Sequence, residues 1–228
     1  MHFALTAAHV TDWAQHGELV LGGSTHFFTL PTFSTTGTCA ERSRDWLDAA
    51  VVQLPDEIAE DLRDIRWIEM KDICLAETTS NAKFWTILGY PVAHQNRNDA
   101  DQSFHPKMTI FTGVELEPSR YRAIGEGAFN AQHHVAIKFR PDRVLDIDGL
   151  YSMKKQNGIS GGGVWMSQSL SSPNTPDLLA AISIYGQTKG TRALVATRIE
   201  YFLAMIFHES ESLRNRYVRN GVIVSTPN

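Results

Sequence analysis

A histidine, an aspartate and a serine stand at three apparent strand ends of this sequence, and together these types can activate a hydroxyl group. The first segment is Leu5-Thr6-Ala7-Ala8-His9-Val10, an apolar run closing on two small residues and the histidine. The second is Asp45-Trp46-Leu47-Asp48-Ala49-Ala50-Val51-Val52-Gln53-Leu54, an acid heading an apolar strand. The third is Asn157-Gly158-Ile159-Ser160-Gly161-Gly162-Gly163-Val164, a serine set among glycines just before another strand. A serine hydroxyl is a poor nucleophile until an imidazole can take its proton. A carboxylate beside that imidazole fixes its tautomer and stabilises its protonated form. Glycines allow the sharp turn that aims backbone N–H groups at a developing oxyanion. Taken singly, each segment has a plain structural explanation: a histidine satisfied at a strand end, an acid before a strand, a Gly-rich loop. The order His, Asp, Ser, each in its own strand-end context, is far more specific.

Thr6-Ala7-Ala8-His9, Asp48-Ala49-Ala50 and Gly158-Ile159-Ser160-Gly161-Gly162 resemble the Thr-Ala-Ala-His, Asp-x-Ala and Gly-x-Ser-Gly-Gly motifs of trypsin-like serine peptidases of the chymotrypsin fold. Leu88-Gly89-Tyr90-Pro91 is similar to a strand end common in bacterial members. The resemblance implies that Ser160 attacks a peptide carbonyl and that His9 is general base, then general acid. It implies that Asp48 orients His9 and that the amides of Gly158 and Ser160 form the oxyanion hole. Asp45 competes for the acid role, but only Asp48 directly precedes the Ala-Ala-Val-Val run. Two positions depart from the pattern. Ile159 stands where many members have an acid, which argues against activation by N-terminal cleavage, and Gly163 stands where many have proline.

By the same resemblance, substrate would lie against Ser152 to Gln156 and Ile182 to Gly186. Lys154 falls near the base of the specificity pocket, with Ser183, Ile184, Tyr185 and Gly186 along one wall and Leu194 narrowing the other. A lysine there favours an acidic P1 side chain, against the plainer view of Lys154-Lys155 as a solvated loop pair. Ser183 is expected near Asp48, with the register open by one residue.

The elements that must position these groups are short and β-rich. Candidate strands are residues 2–7, 18–22, 26–30, 49–54, 84–90, 108–112, 133–139, 163–166, 179–185 and 192–197, rich in Val, Ile, Phe and Thr and bounded by turn formers. Residues 55–63 suggest one or two helical turns. Thr197 and Glu200 form a capping-box pattern, after which Ile199, Phe202, Leu203 and Ile206 recur at helical spacing. The expected fold is all-β: two antiparallel Greek-key β-barrels with the active site between them and a C-terminal helix. The first barrel is assigned to 1–78, the second with the helix to 79–213, and a tail to 214–228, where Val222 to Val224 could add an edge strand.

The chain has 228 residues, 43% hydrophobic and 20% charged, with a net charge of -4, which suits a globular body better than a nucleic-acid surface. No apolar run reaches the ~18 residues that cross a bilayer, so no membrane partner is expected. Cys39 and Cys74 are too few for a disulfide framework and are read as two buried thiols, with a single bridge as the alternative. His133, His134 and His105 lack a supporting Cys or carboxylate cluster, and adjacent histidines on a strand face opposite ways, so no metal is expected. No cofactor is implied.

Met1 stands eight residues before His9, where family members usually carry about two strands. The first barrel is therefore expected to lack its opening strands, or the gene to start further upstream. With no signal peptide after Met1 the expected location is cytoplasmic, although an upstream start would hide one. The expected activity is endopeptidase hydrolysis through an acyl-enzyme. Its rivals are a catalytically silent relative that binds a peptide or protein partner in the cleft, and an esterase or acyl transferase on the same fold. Because His9 must be neutral to accept a proton, the rate of peptide hydrolysis is expected to rise through about pH 6.5 to 7.5. A flat rate between about pH 5 and 8 contradicts the assignment.

Overall fold

The computed structural model describes residues 1–12, 19–22, 27–30, 33–75, 84–90, 96–98, 103–105, 108–140, 144–146, 149–151, 158–167, 177–210 and 213. The chain divides into two compact units, Met1–Trp67 together with the stretch that begins at Ile199, and Ile68–Arg198.

In the first unit, β1 (His2–Ala7) runs directly into a single helical turn, α1 (Ala8–Thr11). A hairpin of β2 (Val20–Gly22) and β3 (Phe27–Thr29) follows, then β4 (Ser34–Thr35), a 3-10 turn over Cys39–Arg44, β5 (Ala49–Leu54) and α2 (Asp56–Asp61). β5 is the centre of a three-stranded antiparallel sheet in the order β1-β5-β4. It is buried along its length except at Gln53, as an apolar run without strict alternation requires. Val52, Leu54, Ile58 and Leu62 form a core that Leu21 and Phe28 of the hairpin also meet.

α3 (Ile199–Glu209) belongs to this unit and packs against β5. Its buried residues, Ile199, Phe202, Leu203, Ile206 and Phe207, recur at the three- and four-residue spacing that puts them on one face. The helix starts later than the capping-box pattern suggests. Thr197 is fully buried and still paired with His134 and Ile182 in a strand that ends at Arg198.

The second unit holds β6 (Phe84–Gly89), the β7–β8 hairpin (Asn96–Asn98 and Ser103–His105), β9 (Thr109–Gly113) and 3-10 turns at Pro118–Ala123 and Gly125–Gly127. Then come β10 (His134–Lys138), β11 (Val144–Asp146), β12 (Gly149–Tyr151), β13 (Gly163–Ser167), β14 (Leu178–Gln187) and β15 (Ala193–Arg198). These make an eight-stranded antiparallel sheet in the order β10-β15-β14-β13-β6-β9-β11-β12. β6 alternates, burying Trp85, Ile87 and Gly89 while its other residues stay half-buried. Trp85, Ile137, Val164 and Met166 lie in its main core, where each fully buried side chain contributes roughly 1.5–3 kcal/mol. Leu194 is part of that core.

Both cysteines are free, but only Cys74 is buried. Cys39 is exposed, contrary to the expectation of two buried thiols, because it sits in the polar 3-10 turn rather than on a strand. His134 is also buried, edge-on to the Phe129 ring, with its Nδ1 beside the backbone of Asn130. Among the described residues no three potential ligands cluster as a metal site would need.

A polar cluster is built into the second unit. The Tyr121 hydroxyl accepts the Ala136 amide at 2.7 Å and donates to Glu115 Oε1 at 3.0 Å, while Arg198 donates to the Ala131 carbonyl. Burial pushes the Glu115 carboxyl above its usual range, against the opposing pull of the Tyr121 hydrogen bond and the Arg198 charge. Folded Glu115 thus holds its proton to higher pH than unfolded Glu115, and its contribution to stability is lost as pH rises through the raised value. Relative to Glu115→Gln, the wild type should lose stability as pH rises from the ordinary carboxylate range through the raised value and level off above it, as read from urea midpoints across pH. A wild-type stability relative to Glu115→Gln that stays constant or rises with pH contradicts this.

Candidate active site

The meeting of His9 and Asp48 follows from strand register. β1 and β5 pair through Ala7↔Ala49, so the residues just beyond that pair, Ala8 and Asp48, face each other across the ladder. The ladder continues through Ala8 N–H donating to the Asp48 carbonyl at 2.8 Å. Ala7, Ala8, Ala49 and Ala50 are all fully buried, and their small side chains let the two backbones end close together.

The Asp48 carboxylate then closes on His9 from two sides. Its Oδ1 accepts the His9 backbone N–H at 2.8 Å, and its Oδ2 accepts from the ring Nδ1 at 2.5 Å. With Nδ1–H committed to the carboxylate, the neutral imidazole presents Nε2 as its basic atom. The Asp48 side chain is 12% exposed and the His9 side chain 37%, so a shielded acid holds an accessible imidazole.

Asp48 adopts a left-handed backbone, φ +47°, unusual for a residue with a side chain and costing roughly 1–2 kcal/mol unless local bonds compensate. One such bond is its amide N–H, which donates to Asp45 Oδ1 at 3.0 Å. Asp45 Oδ2 accepts from Thr36 Oγ1 and from Arg42 Nη1, each at 2.7 Å. Arg42 also forms a two-pronged bond to Asp12, at 2.9 and 3.0 Å. That hydrogen bond, with the guanidinium charge behind it, holds the Asp12 carboxyl below its usual range. Asp45, the competitor for the acid role, therefore spends its oxygens on Arg42, Thr36 and the Asp48 amide. Residues 36, 42 and 12 were not singled out from the sequence. The three-residue spacings Arg42–Asp45 and Asp45–Asp48 were the available signal.

Ser160 lies in the second unit, in a turn that enters β13. Gly158 and Gly161 take left-handed conformations, φ +90° and +87°, open to glycine and strained for other residues. The turn is pinned to β14 by Gly161 N–H to the Ser183 carbonyl at 2.8 Å and Ser183 N–H to the Gly162 carbonyl at 2.9 Å. The Ser160 hydroxyl lies 3.5 Å from the Ile184 carbonyl, a long and weak contact. Among the described residues, neither the Gly158 nor the Ser160 amide donates to a backbone carbonyl.

The end of β6 forms the other wall of this turn. A Cβ on Gly162 would sit 2.1 Å from the Leu88 carbonyl oxygen, and one on Gly89 would sit 3.3 Å from Ile159 Cα. Ile159 is 4% exposed and belongs to the main core, so an apolar anchor stands directly before Ser160.

Of the expected substrate wall, Ser183 and Ile184 are buried, at 1% and 4% exposure, and Gly186 is exposed. Tyr185 is 38% exposed and stacks on Phe129 at 5.2 Å, beside a β14 irregularity between Ser183 and Tyr185. Leu194 packs into the core rather than lining a pocket, because it lies in β15 between β10 and β14. Lys154 lies outside the described residues, as does the tail run at Val222 to Val224.

No protein-family model and no curated protein matches the chain. Among solved structures, one described as "Structure of GrC" is similar over 91% of this chain and 82% of its own, with 14% identity and a TM-score of 0.53. A second, the thermostable serine protease AL20 from an extremophilic microorganism, matches 86% of this chain and 78% of its own, with 12% identity and a TM-score of 0.47. The fold is all-β and chymotrypsin-like.

The glycine turn is open to direct test. Gly162→Ala forces a methyl group against the Leu88 backbone and should cost at least about 2 kcal/mol. Gly190→Ala, at φ +64° with open space around it, should cost only about 1 kcal/mol of backbone strain. Urea midpoints compare the two, and equal losses would mean that the Leu88 carbonyl yields freely.

Proposed function

We propose that the protein is a serine endopeptidase that hydrolyses peptide bonds through an acyl-enzyme, with His9, Asp48 and Ser160 as its triad. The observation that carries this is the double hold of Asp48 on His9. One carboxylate oxygen takes the backbone N–H and the other the ring Nδ1, so the neutral imidazole offers Nε2 to a hydroxyl group. The chymotrypsin-like fold supports it, as does the glycine turn that carries Ser160 between two left-handed residues.

In this mechanism Ser160 Oγ attacks the substrate carbonyl carbon as its proton passes to His9 Nε2. Asp48 stabilises the imidazolium that results. The negative charge on the former carbonyl oxygen is met by the amides of Gly158 and Ser160, and losing one such donor costs roughly 3 kcal/mol of transition-state stabilisation. His9 then hands its proton to the leaving amine, and water repeats the sequence to free the acid. Protein or peptide substrate lies along β14 at its exposed residues Tyr185 and Gly186, with Ser183 and Ile184 buried in the strand. Lys154 would bias the first pocket towards an acidic side chain.

The test is labelling with a fluorophosphonate, which reacts only with an activated serine. Wild type should label, and Ser160→Ala and His9→Ala should not, with peptide turnover falling at least about 10⁴-fold in either variant. A folded wild type that fails to label would replace catalysis with the peptide-binding alternative. Turnover of esters but not peptides would instead identify an esterase.

A further inference from the structure

We propose that Asp45, fixed by Arg42 and Thr36, is the positioning residue that holds Asp48 in its left-handed conformation and thereby aims its carboxylate at His9. The inference rests on the triad assignment above and extends it to residues that touch neither substrate nor reacting atoms.

The bonds are few and directional. Asp45 Oδ1 accepts the Asp48 amide at 3.0 Å, which fixes the peptide plane entering Asp48. The carbonyl leaving Asp48 is fixed by Ala8 N–H at 2.8 Å. Between these two anchors φ is +47°, and the side chain projects so that both carboxylate oxygens meet His9. The Asp45 side chain is only 7% exposed and cannot satisfy its second oxygen with bulk water. Thr36 and Arg42 serve that oxygen instead, and the Thr36 hydroxyl also accepts the Ala49 amide at 3.0 Å, tying the cluster to the first residue of β5.

Arg42 is held in turn by Asp12, at the end of the short helix that carries His9. The two sides of the His9–Asp48 contact are thus cross-tied by one guanidinium. Gly37 makes room for the arrangement, since a Cβ there would lie 3.1 Å from the Asp45 carboxyl.

The chemistry asks an acceptor of Asp45 Oδ1 and a charge of Oδ2, and two substitutions separate them. Asp45→Asn keeps an oxygen for the Asp48 amide, while Asp45→Ala removes it. Two readouts apply to each folded variant: the second-order rate of fluorophosphonate labelling, and the far-downfield proton resonance of His9 Nδ1–H in NMR spectra. Asp45→Ala should slow labelling about tenfold to a hundredfold and shift or abolish the resonance, while Asp45→Asn, which keeps an oxygen for the Asp48 amide but turns its NH2 toward Arg42 and Thr36, should lose less on the first and retain the second. Should Asp45→Ala not fold, Arg42→Gln takes its place, with slower labelling and a moved resonance expected.

Unchanged labelling and an unchanged resonance in Asp45→Ala, or in Arg42→Gln where that stands in, overturn the proposal and leave the triad intact. A wild type that does not label, but whose resonance moves in Asp45→Ala, keeps the positioning role and removes the peptidase assignment. Equal losses in Asp45→Asn and Asp45→Ala, with the resonance in place, would mean that Asp45 acts through charge alone and would also overturn it.

Discussion

The candidate site depends first on the pairing of β1 with β5. Antiparallel register fixes which residues face each other, and a slip of one residue would turn every side chain of β1 to the other face. With Ala7 opposite Ala49, the chain leaves β1 and enters β5 at one point, and His9 and Asp48 occupy that point. The burial of β5 on both faces gives the register its energy, since Val51, Val52 and Leu54 are all removed from water. The packing of α3 against the same strand adds to it. The polar contact at the strand end is therefore held in place by an apolar one along the strand.

In the second unit the corresponding constraint is steric. The Ser160 turn passes so close to the end of β6 that Gly162 cannot carry a side chain without displacing backbone, and a side chain at Gly89 would crowd Ile159. Ile159 adds an anchor by sinking into the core between them. An apolar side chain gains its burial without a charged partner, whereas an acid in the same place would need one to offset its desolvation. The turn thus takes its shape from folding of the unit itself.

Much of this was legible in the residues, for physical reasons. The strands that read clearly from sequence, such as 49–54 and 84–90, are those whose burial imposes apolar or alternating patterns. β4, with only Ser34 and Thr35, and β7, with Asn96-Arg97-Asn98, carry no such pattern and were not expected. The start of α3 was misplaced because Thr197 has the chemistry of a cap and the location of a strand, and sheet pairing prevailed over local propensity. His9 and Asp48 stood out because small residues and an apolar strand flank them. The roles of Asp45 and Arg42 did not, because a three-residue spacing is common and gives no sign of the left-handed turn at Asp48.

The charges around His9 show why that support takes this form. Asp12, Asp45 and Asp48 are three carboxylates within one small neighbourhood, and three unbalanced negative charges would repel one another and leave the shielded ones poorly solvated. Arg42 bonds to two of them, and its planar guanidinium can face Asp12 with one edge and Asp45 with another, which a lysine could not do. Asp48 is the carboxylate left for the imidazole. One cation therefore does two things at once: it neutralises the acids that do not touch the ring, and it holds the Asp45 carboxylate that accepts the amide of the acid that does. The geometry of the His9–Asp48 pair and its electrostatics then share a single cause.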